Sequence, residues 1–329
     1  MLNYVIKRLF WMIPTVFIIA ALCFVIIQLP PGDFLSYYMG ELLALDTPVA
    51  RETVELMRAR YGLDQPIYVQ FWRWVSGFPR GDFGVSMLYP TIPVSQLVGE
   101  RVGLTLLITL TSLILSYVVA IPIGVYSATH KYSFLDNLFT FLAFIGLAAP
   151  NFLLALVLAY LAVAYLGMDT VRGLFSAQYA GEPWSLAKFG NMLQHLTIPI
   201  IVIATAGMAS VVRIMRGNLI DVLGEAYVRT ARSKGVRERT VLYKHAVRIA
   251  INPLISRIGM LLPRLLGAEI VTSIVLSIPT TGLLLYRALL AQDMYLAGTI
   301  LLMLAVILLI GNLLADITLA LVDPRIRLS

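Results

Sequence analysis

Ionisable residues are scarce in this chain, and the few that fall inside long apolar blocks stand out. Arg264 and Glu269 interrupt one block, Asp316 sits in another, and His195 lies near the start of a third. A charge in hydrocarbon is costly, so such groups face a protein interior or a wet cavity and mark candidate solute or ion paths. Arg264 and Glu269 are five residues apart, a poor spacing for pairing along one helix. Each is therefore a separate candidate for lining a path or touching a second subunit. Pro14, Pro122 and Pro150 each remove a backbone donor and are expected to kink a spanning helix. Pro150 and Ser273 join Arg264 and Glu269 as pathway or subunit-contact candidates.

Other chemistries find no constellation. His130, His195 and His245 fall in separate regions, and no His-Glu-x-x-His occurs, so neither a metal site nor a catalytic group is expected. Cys23 is the only cysteine, which rules out an intrachain disulfide. No Gly-x-x-x-x-Gly-Lys-[Ser/Thr] phosphate loop is present, so no ATP site is expected on this chain. The net charge of +7 invites a nucleic-acid reading, but basic residues of a membrane protein gather on its cytoplasmic side, and no nucleic-acid partner is expected.

The elements that must position these residues are set by hydropathy. Hydrophobic residues make up 59% of the chain and charged ones 13%, against roughly 45–50% and 25% in a soluble domain. The apolar residues form long blocks rather than alternating stretches, which favours spanning helices over a barrel. A span needs about 20 apolar residues, and six segments qualify: 9–29, 102–126, 137–166, 192–212, 254–278 and 297–321. Lys7 and Arg8 precede the first, but its apolar run is too long for a signal peptide, so it reads as an uncleaved span.

With the N-terminus inside, the inner segments hold 15 Lys and Arg against 9 in the outer ones. The predicted fold class is therefore an all-α polytopic membrane protein with both termini cytoplasmic. Residues 1–29 form the first span, 30–97 a folded external region, 98–321 the remaining transmembrane domain, and 322–329 a cytoplasmic tail. In the external region, Thr47 to Arg60 reads as an amphipathic helix and Tyr61-Gly62-Leu-Asp-Gln-Pro66 as a stop and turn. The aromatics Tyr68, Phe71, Trp72 and Trp74 that follow read as an interfacial belt.

A cytoplasmic loop, 213–253, is the most informative stretch. Leu219, Val222, Leu223, Ala226 and Thr230 recur at helical spacing, predicting a short amphipathic helix. Lys234 suits the negative end of its dipole and Gly235 a left-handed cap. A second helical pattern runs from Val236 to Ile249.

The wording Glu225-Ala-Tyr-Val-Arg-Thr-Ala-Arg-Ser-Lys-Gly235, then Lys244-His-Ala-Val-Arg248, resembles the loop shared by permeases of binding-protein-dependent ABC importers, in their dipeptide/oligopeptide branch. Further matches keep the family's order: Lys7-Arg8-Leu9, Leu29-Pro-Pro-Gly-Asp33, Arg80-Gly-Asp-Phe-Gly84, Ile121-Pro-Ile-Gly124, Val212-Arg-Ile-Met-Arg216 and Leu321-Val-Asp-Pro-Arg325-Ile-Arg327. The chain departs where the family usually has a glutamate: Ser273 stands there, with Glu269 one turn earlier.

The resemblance implies a permease subunit in a bacterial inner membrane that forms half of a path for peptides, or for opine- or oligosaccharide-like solutes. Its partners would be a second homologous permease, two ATP-binding subunits that use ATP and Mg²⁺, membrane lipid and an external solute-binding protein. The coupling residues carried over are Leu223, Glu225, Ala226, Tyr227, Arg229, Ala231, Arg232 and Gly235. Of these, Ala226 and Ala231 would allow close approach, while Arg229 and Arg232 would pair with acidic rims on the ATPase. The rival reading is a stand-alone secondary transporter coupled to ions through Glu269, Asp316 and His195; no inverted repeat supports it.

Overall fold

A computed structural model describes residues 2–30, 34–35, 48–168 and 171–322. Its regular elements are helical: α1 (Leu2–Gln28), α2 (Pro48–Tyr61), α3 (Ile67–Val75), α4 (Val94–Thr129), α5 (Phe134–Ala148), α6 (Asn151–Tyr165), α7 (Leu186–Leu223) and α8 (Ala226–Ser233). Next, Glu238–Thr240, a π turn over Val241–Val247 and Arg248–Ala250 run on as one helix, α9. The chain continues through α10 (Asn252–Ser256), α11 (Ile258–Leu276), α12 (Thr281–Leu290) and α13 (Met294–Val322). Among the described residues α1, α4, α7, α11 and α13 are long and apolar enough to cross a membrane, and the α5–α6 pair makes a sixth if counted as one broken span. The terminal motif from Asp323 onward, and Pro31, Gly32 and Asp33 of the earlier one, lie outside the described residues.

Two compact units are present: residues 1–104 with 279–309, and residues 105–278 with the chain from 310 onward. In the first, the aromatic stretch packs against the first span. Phe24 of α1 meets Phe71 edge-on at 5.4 Å and stacks on Trp74 at 6.0 Å, and the Trp74 indole donates to Thr299. Trp74 is thus core, while Trp72 and Tyr68 stay exposed. The expectation of a belt made of all four aromatics is corrected: period 3.6 turns Phe71 and Trp74 inward and leaves Tyr68 and Trp72 outside. Asp293, just before α13, closes this unit. Its carboxylate accepts from Ser86 Oγ (2.6 Å), Leu88 N (3.0 Å) and Leu296 N (3.1 Å), capping α13 and holding the 86–89 turn. Burial pushes the Asp293 carboxyl up, and these donors oppose the shift.

The second unit is built on α7, which α4, α5, α6 and α11 surround. In membranes, close helix approach needs small residues and cross-helix hydrogen bonds replace the hydrophobic effect. Both devices occur here. Ser112 and Ser116 of α4 donate to the Ile200 and Ala204 carbonyls of α7, at 3.2 and 2.8 Å. At Gly124 the two backbones come so close that an added Cβ would lie 2.6 Å from Met215 Cβ and 3.0 Å from the Val212 carbonyl.

Two expectations about helix boundaries change. Segment 137–166 is not one straight span: α5 ends at Ala148, and α6 leaves at 110° with Pro150 as its N-cap. Pro14 and Pro122, by contrast, lie inside single continuous helices. The helix breaks at Pro150, where Ala149 and Pro150 are both extended, a conformation that proline favours in its predecessor. The 213–223 stretch is also not part of a short loop helix. It is the end of α7, whose 38 residues span about 57 Å, well beyond a bilayer core of about 30 Å.

Gly124→Leu should lower thermal stability by about 2–3 kcal/mol through overpacking, and Met215→Ala in the same chain should recover much of that loss in a detergent melting experiment. Equal damage in the single and double variants would contradict the close approach.

Candidate functional site

Residues 223–238 form one continuous structure. α7 ends at Leu223, half-buried, and Gly224 caps it. Glu225 is the extended N-cap of α8, with its side chain in solvent, and its carbonyl receives the Val228 and Arg229 amides. α8 closes in a Schellman motif. Gly235, at φ +74°, sends its N–H to the Arg232 carbonyl, and Val236 sends its own to Ala231. An added Cβ at Gly235 would meet nothing within 4 Å, so conformation rather than space selects glycine there.

α8 packs on the end of α7 and on the π turn of α9. Its one fully buried side chain is Val228; Ala231, one turn on, is half-buried on the same face. Ala226, Tyr227, Arg229, Thr230 and Arg232 point away from the body. Tyr227 is 40% exposed, and its phenol is pushed up by partial burial and by the Glu225 charge.

The arrangement corrects several roles drawn from the sequence. Leu219, Val222 and Leu223 belong to α7, because Gly224 interrupts the helix and resets the face. Ala231 faces the body rather than outward. The two arginines expected to pair with a partner are engaged within the chain. Arg229 donates twice to the Gly224 carbonyl, at 3.0 and 2.7 Å, and Arg232 pairs with Glu238 at 2.7 Å across the Gly235 turn. That pair holds the Glu238 carboxyl below its ordinary value and the Arg232 guanidinium above it.

Deeper in the second unit, Asp136 and Arg216 make a two-pronged ion pair at 3.0 and 2.9 Å between the start of α5 and the outer part of α7. Tyr132 N also donates to Asp136, while Ser133 caps α5 by accepting from Asp136 N. Sequence reasoning does not find this pair. The one signal is the capping pattern Ser133-Phe-Leu-Asp136 just ahead of an apolar run.

Of the pathway candidates, Glu269 and Ser273 come together: Ser273 Oγ donates to Glu269 Oε1 at 2.6 Å, and both are fully buried. A carboxylate therefore reaches the level of Ser273 from one turn earlier. Arg264 lies on the opposite, exposed face of α11. Pro150 starts α6, which packs on α11. His195 is buried, held by the loop that precedes α7. Its Nδ1 lies 3.2 Å from the Gly173 carbonyl, its Nε2 3.1 Å from Ser176 Oγ, and the whole pins the 173–176 loop to α7. No group of three or more potential metal ligands occurs among the described residues.

Removing one member of the Asp136–Arg216 pair strands the other charge, so Arg216→Ala or Asp136→Ala should cost about 3 kcal/mol in stability. The surface pair Arg232–Glu238 can be followed by pH. Because the Glu238 value is depressed, its stabilisation is present above the ordinary glutamate range and disappears as pH falls through the depressed value. Hydrogen exchange of the 233–237 amides, corrected for intrinsic rate, should therefore quicken on acidification, and Glu238→Gln should remove that dependence.

Comparison with known proteins places these features. Residues 120–328 match the family described as the binding-protein-dependent transport system inner membrane component, and residues 1–119 match the N-terminal region of such membrane components. The oligopeptide transport system permease protein AppB of Bacillus subtilis is 36% identical over 99% of this chain and all of its own length. A putative peptide permease protein of Brucella suis is 32% identical over the whole of both chains. The glutathione transport system permease protein GsiC of Escherichia coli K12 is 33% identical over 99% of each.

Proposed function

The chain belongs to the family of binding-protein-dependent transport inner membrane components, and from that premise we propose that it is the membrane-spanning permease of an ATP-driven importer of peptides. It is a multi-pass protein of the inner membrane. End-to-end similarity to permeases named for oligopeptides, peptides and glutathione supports the peptide reading over opines or oligosaccharides. The rival secondary-transporter reading through Glu269, Asp316 and His195 is not favoured: His195 and Glu269 are held by different partners and are not gathered into one site.

The observation that carries the mechanism is α8. A helix held to the body by one buried valine and turned sharply at Gly235 offers Ala226, Tyr227 and Thr230 to whatever approaches. In our reading this face docks in a groove of a separate ATPase subunit on the cytoplasmic side, with Tyr227 filling it and Ala226 permitting close approach. Arg229 and Arg232 then hold the helix in shape for docking, and Leu223, Glu225, Ala231 and Gly235 set its position. Segment 213–253 is the coupling segment, both termini are cytoplasmic, and residues 30–97 receive the solute-binding protein outside. The complete assembly pairs this permease with a second homologous one and with two ATPases, and ATP and Mg²⁺ are used by those subunits. The permease itself offers a path and a lever.

Affinity purification from native membrane, followed by mass spectrometry, should recover an ATPase, a second permease and a peptide-loaded binding protein. Gly235→Val should strain the turn by about 1–2 kcal/mol and uncouple ATP hydrolysis from uptake while the protein still inserts and assembles. Full ATP-driven uptake in that variant would refute the role given to α8.

A further inference from the structure

Within the first span, the outward surface is what lipid requires: Phe10, Trp11, Ile13, Ile18 and Leu22 are all exposed and large. The exposed face of α11 is different. Met260, Pro263, Arg264, Gly267 and Val271 follow one another at helical spacing, and Gly267 has open space around it. A guanidinium on the second turn of a spanning helix, flanked by proline and glycine, does not face hydrocarbon; it faces water or another polar group. Arg257, at the N-cap of the same helix, projects into the same recess of about 140 Å³, opposite Ser210 and Tyr117. The Tyr117 hydroxyl donates to Leu254 O and the Ser210 hydroxyl to Gly207 O. Among the described residues no acidic one lines this recess, and the one carboxylate of α11, Glu269, is buried on the other side. Among the described residues the face thus carries two cations about 10 Å apart along the axis and no anion.

We propose that this face of α11 is a water-exposed wall of the translocation path, and that Arg264 and Arg257 tune it for solutes bearing extra carboxylates, favouring acidic peptides over neutral and basic ones. The proposal rests on the importer reading. A guanidinium in a narrow, partly desolvated path attracts a passing carboxylate far more than it would in bulk water. It repels an ammonium by the same argument. Arg264, about two turns into the span, has the larger part, because screening is weaker there.

The test uses the complete importer in proteoliposomes with its binding protein, measuring ATP-driven uptake of Glu-Ala-Glu, Ala-Ala-Ala and Lys-Ala-Lys. Arg264→Gln should lower uptake of the acidic peptide about tenfold while changing the neutral one less than about twofold and leaving ATPase activity intact. Arg264→Lys should keep the wild-type order, and Arg264→Glu should reverse it. An equal fall for all three peptides, or loss of the second permease from purified Arg264→Gln complexes, would show a subunit contact instead and overturn the proposal. Absence of ATP-driven uptake of any of the three by the wild-type complex would remove the peptide-import reading itself, and this inference with it.

Discussion

Hydrocarbon cannot solvate a charge or a bare peptide group, and nearly every feature of this chain answers to that constraint. Backbone groups are closed within helices. The ionisable side chains in and beside the spans are handled in different ways. Asp136 is neutralised by a forked arginine, Glu269 is buried against a hydroxyl, and Arg264 lies on the exposed face of α11. The same constraint makes the contacts between helices depend on serine hydroxyls and on glycine, since apolar surface gains little by leaving lipid for protein.

These solutions centre on α7. Its middle receives the serine hydroxyls of α4, its first turns hold the 173–176 loop through His195, and its outer part carries Arg216 toward α5. It is held to its neighbours at several levels along its length. The docking helix proposed above hangs from its end, so that what is anchored and what is exposed are adjacent in sequence.

Much of this is legible in the amino-acid sequence alone. Composition and block hydropathy demand spanning helices, and the cap at Gly235 follows from a cationic last turn ahead of glycine. What stays hidden has physical reasons. Periodicity alone cannot separate the end of a long helix from the start of a short one, so Leu219, Val222 and Leu223 share a pattern with Ala226 although Gly224 divides them. Hydropathy is blind to direction, which is why a segment long enough for one span is in fact two helices at 110°. Pairs distant in sequence, such as Asp136 with Arg216 or Ser86 with Asp293, leave no periodic trace; only their local capping patterns show. The two arginines of α8 show the opposite failure. Their types suggest an external partner, and each has a nearer one in the chain.

The clamp between Arg229 and the Gly224 carbonyl has a mechanical meaning. A glycine at the junction of a long helix and a short one would ordinarily act as a free joint, letting the short piece swing without disturbing the rest. Two hydrogen bonds from Arg229 brace that joint. If α8 is the docking helix proposed above, a displacement applied to it passes into the end of α7 instead of being lost at the joint.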